Sequence, residues 1–132
     1  ADYMKQEVEE LLEKNKDFVI YLGQLSPENY YNAYLASDIA LFPGGQSVLW
    51  QEAIGCGLPL VVGYAKGIEY LDCGGNIKFI KDISAEGITH VLKNVITNDT
   101  YKKMIEVAKT SGRDFFSYER ISNLITDRVK EH

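Results

Sequence analysis

The sequence predicts an α/β fold, a parallel sheet with helices on both faces. Three observations carry that expectation. Four short apolar runs, Phe18–Leu22, Ile39–Phe42, Leu60–Val62 and Ile77–Ile80, read as strands buried on both faces. Stretches with helical spacing separate them, and alternation of the two types implies a parallel sheet. Glycine-containing turns, Gly23, Gly44-Gly45 and Gly63 to Gly67, follow three of the runs.

At 132 residues the chain reads as a single domain, 1–132, large enough for a real core. Its 45% hydrophobic and 25% charged residues are those of an ordinary globular protein. The net charge of −5 argues against a broad nucleic-acid or anionic-membrane surface, but it leaves room for a local anion site built from backbone dipoles. No apolar run reaches the roughly 18 residues of a membrane span, and no signal peptide is visible. Cys56 and Cys73 lack a metal-binding spacing, so reduced thiols in a cytoplasmic protein are expected.

Residues 3 to 15 form an amphipathic helix with Met4, Val8, Leu11 and Leu12 on one face; the acidic run Glu7, Glu9, Glu10 is a solvated face. Phe18–Leu22 is the first strand, ended by Gly23. Ser26-Pro27 opens the next helix with a capping serine and a proline at the first position. Tyr30, Tyr34 and Leu35 share its inner face. The loop Gly23, Gln24, Leu25 follows the carboxyl end of a strand, where open α/β sheets bind ligands.

The central stretch runs from the strand Ile39–Phe42 through Pro43, Gly44, Gly45 and Gln46 into a helix expected from Ser47. Without a Cβ at the glycines a ligand can approach the backbone. Ser47 as N-cap, with Val48 and Leu49 in the first turn, would present N–H groups to an anion. Glu52 then lies about 7.5 Å further along the helix axis, placed to accept hydrogen bonds from sugar hydroxyls. A phosphorylated sugar or nucleotide fits this pattern.

After the exit Gly55-Cys56-Gly57-Leu58-Pro59, Leu60–Val62 forms a strand, and Lys66 sits in the loop beyond it. Glu69 opens a short helix before the last strand. Ser84 starts a helix with the stripe Ile88, Val91, Leu92, Val95; Asn98-Asp99 caps another, running to about Ser111. Ser117 begins the last, with Ile121, Leu124 and Ile125 inward. His90 is a structural or surface residue, and neither a Ser-His-Asp set nor a zinc cluster is present, so the metal expectation is none.

The segment from Asp38 to Val62 resembles the donor-binding segment in the C-terminal domain of GT-B glycosyltransferases, the retaining, nucleotide-sugar-dependent kind (glycosyl transferases group 1). The resemblance rests on Asp38, Pro43, the small-residue loop to Ser47, Glu52-Ala53, the Gly-x-Pro exit and Leu60-Val61-Val62. It extends to Phe18–Gly23, Lys66-Gly67-Ile68-Glu69-Tyr70, Gly74-Gly75-Asn76 and Phe115-Phe116-Ser117-Tyr118. It implies a Rossmann-like domain that binds a nucleotide-diphosphate sugar and transfers the sugar to an acceptor hydroxyl, as in polysaccharide biosynthesis. The base would lie at Gly23, Gln24 and Leu25, the diphosphate at Gly45 to Val48 within the donor-binding stretch Gly44 to Leu49, and the ribose on Glu52, with no cofactor besides the donor. One departure stands out: the family's first glutamate, eight positions before Glu52, falls on Gly44, and Gln46 is the nearest polar substitute. The catalytic residue is therefore unassigned.

In that family two further strands and a basic loop precede the helix on which this chain starts, and a separate N-terminal domain binds the acceptor, a glycan or lipid. The resemblance thus implies an incomplete GT-B C-terminal domain, part of a longer enzyme that is cytoplasmic or membrane-associated. A fragment lacking a central strand would expose strand edges and associate with a second copy. Two alternatives remain: a nucleotide-sugar epimerase of the same architecture, and a non-catalytic α/β binding or assembly module.

Overall fold

A computed structural model of the chain describes residues 2–44 and 47–117. Gly45 and Gln46, and the final helix expected to carry Ile121, Leu124 and Ile125, lie outside the described residues. The element order is α1 (Asp2–Lys14), α2 (Pro27–Leu35), β1 (Ala40–Phe42), α3 (Leu49–Gly55), β2 (Leu60–Gly63), a 3₁₀ turn (Glu69–Leu71), β3 (Ile77–Ile80), α4 (Ala85–Thr97) and α5 (Thr100–Val107). A π-helical turn (Ala108–Gly112) and the short α6 (Arg113–Phe115) follow. Among the described residues the sheet has three parallel strands in the order β1-β2-β3. This is the expected α/β fold. No helix among the described residues is long and apolar enough to cross a membrane.

The strands form because β2 is apolar throughout and buried throughout, the signature of a central parallel strand. Alternate side chains point to opposite faces. Leu60 and Val62 join Trp50, Ala53, Ile54, Ile68, Leu71 and Ile77 on one face. Val61 joins Ile80, Val95 and Met104 on the other, where Ile88, Val91 and Leu92 of α4 also pack. The α4 stripe read from the sequence is thus a core stripe, and Ser84 caps that helix by accepting from the Gly87 N–H at 3.1 Å. Ser26 caps α2 in the same way, accepting from the Asn29 N–H.

Asn76 is the one buried polar residue of the described core. Its Oδ1 accepts from the Cys73 N–H at 2.6 Å and its Nδ2 donates to the Leu71 carbonyl at 3.4 Å. Asp72 accepts from the N–H groups of Gly74 and Gly75, both at positive φ. The Gly-Gly-Asn stretch is a side-chain-knotted turn feeding β3.

Four expectations are corrected. Phe18–Leu22 is not a strand of the sheet: Phe18 and Ile20 are 78% and 83% exposed, and the run pairs with nothing among the described residues. A strand is stabilised by its ladder and its neighbours, and the sheet ends at β1, so composition alone does not recruit this run. For the same reason the face of α1 carrying Met4, Val8 and Leu11 is exposed. Leu35 also turns outward, leaving Tyr34 packed against the core. The helix expected to reach Ser111 stops at Val107, where the π-turn widens the backbone and buries Ala108 and Gly112. A Cβ on Gly112 would sit 3.2 Å from Asn76 Nδ2, so the turn closes tightly over that amide.

Gly63 shows how close the chain approaches itself above the sheet. A Cβ there would lie 2.2 Å from the Pro43 carbonyl oxygen and 3.0 Å from Ile83 Cδ1. Gly44 has open space instead. Gly63→Ala is therefore expected to lower the unfolding free energy by about 1–3 kcal/mol through overpacking. Gly44→Ala should stay within about 0.5 kcal/mol of the parent; urea denaturation of both variants measures the contrast.

Candidate functional site

The site is built around α3. The helical period sends Trp50, Ala53 and Ile54 into the core, so Gln51 and Glu52 must face outward. Trp50 anchors the helix edge-on against Phe42 of β1, ring centroids 6.5 Å apart. Because Gly63 admits the Pro43 carbonyl so closely, the loops after β1 and β2 converge at the start of α3.

The helix begins at Leu49, with Val48 in the cap position, one residue later than a Ser47 cap predicts. Ser47 still caps from one residue further out: its Oγ accepts from the Leu49 N–H at 3.1 Å. Its carbonyl accepts from the Trp50 N–H, and the Val48 carbonyl from the N–H groups of Gln51 and Glu52. The amides of Leu49, Trp50, Gln51 and Glu52 are thus already engaged within the turn. Gly44 remains unobstructed, and Gly45 and Gln46 lie outside the described residues.

Two cavities flank α3. The first, about 210 Å³, lies between α2 and α3 and is lined by Pro27, Tyr31, Tyr34, Glu52, Cys56 and Phe116 among others. Glu52 stands at its exposed rim. The Tyr34 hydroxyl is buried and has no hydrogen-bond partner among the described residues. Burial, then the neighbouring charges of Glu52, Cys56 and Tyr30, push its pKa up to about 12. Burial and Glu52 also raise the Cys56 thiol, which keeps it protonated and a poor nucleophile.

The second cavity, about 310 Å³, is lined by Ser47, Val48, Gln51, Lys66, Gly67 and Tyr70, with Trp50 and Ile68 behind them. Gln51 Nε2 donates to the Tyr70 hydroxyl at 3.3 Å across it. Beside it, Glu69 accepts from the Tyr64 hydroxyl at 2.7 Å and from the Gly67 N–H at 3.0 Å.

The structure therefore brings Ser47 and Val48 together with Lys66 on one flank of α3, and sets Glu52 on the other. Gly23, Gln24 and Leu25 line neither cavity; the exposed chain there leads into Pro27, which does. Sequence reasoning missed Tyr31, Tyr34 and Cys56 as neighbours of Glu52, and Gln51 and Tyr70 as neighbours of Lys66. The outward phase of Gln51, one residue from Glu52 on the same helix, was the signal for it. No group of three or more His, Cys, Asp or Glu suited to a metal occurs among the described residues.

Tyr34 should ionise later than an ordinary tyrosine. Its raised pKa means that the folded state holds this proton more tightly than the unfolded one. The associated stability is then complete below about pH 10, the ordinary tyrosine value, and falls as pH rises towards about 12. Tyr34→Phe is expected to remove the last component of the phenolate absorbance titration and to flatten the alkaline loss of stability.

No family model matches the sequence, and no curated protein matches it. Among solved structures, sucrose-phosphate synthase from Thermosynechococcus elongatus is similar, with a TM-score of 0.73 and 15% sequence identity. The match covers 98% of this chain and 34% of that one, so the chain spans about a third of the length of that protein. Identity this low speaks to the fold alone. The chain has an α/β Rossmann-like fold, a parallel sheet flanked by helices that matches a GT-B-type domain.

Proposed function

We propose that residues 1–132 are the donor-binding domain of a nucleotide-sugar-dependent glycosyltransferase. The observation that carries this reading is the division of labour on α3: a carboxylate on one flank, Glu52, and a cation with a hydroxyl on the other, Lys66 and Ser47. A nucleotide-diphosphate sugar has both requirements, ribose hydroxyls that donate to a carboxylate and phosphates that accept from cations and hydroxyls. The GT-B-type fold supports the same assignment.

In such a transfer the acceptor oxygen bonds to the anomeric carbon, its hydroxyl proton passes to the departing diphosphate or to water, and the diphosphate leaves with the electron pair of the broken C–O bond. Groups fixed in advance around the departing diphosphate stabilise its charge, the largest contribution a protein can make to this step. Lys66 and the Ser47 hydroxyl are the candidates in this chain. Gly44, where the resemblance implies a glutamate, offers no side chain, so the residue acting on the sugar is not assigned here. That same vacancy favours the second reading, a module that binds the nucleotide without turning it over. Product analysis with a labelled nucleotide-sugar separates transfer, epimerisation and simple binding.

Calorimetric titration with a panel of nucleoside diphosphates tests the donor reading. One of them is expected to bind saturably, and Glu52→Ala to weaken it by about 1–3 kcal/mol, the range for a lost hydrogen bond to a charged group. Absence of saturable binding by every nucleotide in the panel would overturn it.

The proposal extends to association with a second polypeptide. Phe18–Leu22 is an exposed apolar run without a ladder among the described residues, and β1 has an outer edge carrying the half-exposed Leu41. Unpaired strands and edges recruit other strands. Sedimentation velocity is expected to show concentration-dependent self-association that Ile20→Lys abolishes. A single monomeric boundary at all concentrations contradicts it.

A further inference from the structure

We infer that the turn Ala65–Ile68 forms the charged wall of an anion subsite beside α3, and that Glu69 is the positioning residue holding Lys66 in that wall. The inference rests on the donor reading above and deepens it, because it names the group that takes phosphate charge and the device that presents it.

The cavity lined by Ser47, Gln51, Lys66 and Tyr70 contains one ammonium group and no carboxylate in its lining. The lining is thus positive on a chain of net charge −5, with the Glu69 carboxylate beside it turned onto Tyr64 and Gly67. Lys66 is spared neutralisation: among the described residues the one ion pair is Lys16 with Glu13. The Leu49, Trp50, Gln51 and Glu52 amides are already bonded to Ser47 and Val48 within the turn. Among the side chains lining the cavity, Lys66 is the charged one that can attract an anion.

A lysine on a loose loop would lose much of its binding energy to ordering. This loop is braced. Glu69 closes it from within, one carboxylate oxygen accepting from the Tyr64 hydroxyl and the other from the Gly67 N–H. Tyr64 is itself tied to the sheet, its N–H donating to the Ile80 carbonyl at 2.8 Å and its ring standing edge-on to Phe79 at 5.8 Å. Gly67 has φ +96°, a conformation natural to glycine, so the turn that carries Lys66 is built for this geometry. The hydrogen bond lowers the Glu69 pKa and raises that of Tyr64, which keeps carboxylate and phenol in their bonding forms through neutral pH. With one hydrogen bond on each oxygen directed into its own loop, Glu69 acts on Lys66 through Gly67.

The test uses the 132-residue chain, with inorganic pyrophosphate and the nucleoside diphosphate selected above as probes. Lys66→Ala is expected to weaken both about tenfold, and to leave binding of the bare nucleoside unchanged. Glu69→Ala and Tyr64→Phe should weaken both by a few fold and accelerate hydrogen exchange of the Gly67 amide. Glu69→Gln should restore affinity, because an amide can accept from Gly67 and donate to Tyr64. In a Lys66→Ala background, Glu69→Ala should have no further effect. If the nucleotide binds and Lys66→Ala is silent, the subsite is wrong while the donor reading stands. If Lys66→Ala weakens binding but Glu69→Ala changes neither affinity nor Gly67 exchange, the positioning role is wrong. Failure of the parent chain to bind nucleotide or pyrophosphate overturns both.

Discussion

The approach of Gly63 to Pro43 is the constraint on which the site depends. Two parallel strands hydrogen-bonded side by side deliver their following loops to the same end of the sheet. Here the last residue of β2 lies so near the Pro43 carbonyl that no side chain fits between them. The loop from β1 into α3 and the loop carrying Lys66 are therefore pressed together, and Ser47 and Lys66 meet across one cavity. The exposed chemistry of the site is a consequence of a missing methyl group in the core.

Packing beneath α3 fixes the rest. The helix has seven residues, too short to be stable by itself. Trp50, Ala53 and Ile54 hold it against β2 and the Leu71 region, and that anchoring sets the outward direction of Gln51 and Glu52. Rotating the helix enough to bury Glu52 would expose Trp50 or Ile54, at a cost of about 1.5–3 kcal/mol for each large apolar side chain. The carboxylate is thereby committed to the first cavity and the amide to the second.

What the sequence made legible follows from how locally each signal is determined. β2 and β3 were readable because they are continuous apolar runs with neighbours in the same chain, and α4 because its stripe and its Ser84 cap agree. Phe18–Leu22 carries the same apolar signal, but a strand is a property of a pair, and composition does not reveal whether a partner is at hand. The cap of α3 lies one residue beyond Ser47 because a serine can cap from just outside as well as from the cap position itself. Of the site, Ser47, Lys66 and Glu52 were visible as motif residues. The tyrosines of α2 beside Glu52 were not, because a face that looks apolar in sequence can line a cavity as readily as a core.

The role of Glu69 shows why geometry must decide between two chemistries that a motif leaves open. A glutamate in a loop at the carboxyl end of a strand reads as a ligand for hydroxyls. In this chain both its oxygens turn back onto Tyr64 and Gly67. A charged acceptor bonded through both oxygens to its own loop contributes order, since each bond removes freedom from the turn beside it. Glu52, by contrast, lies at the rim of a cavity with its helix fixed from below. Two exposed glutamates seventeen positions apart thus divide into one that holds the protein and one that is left to hold a ligand.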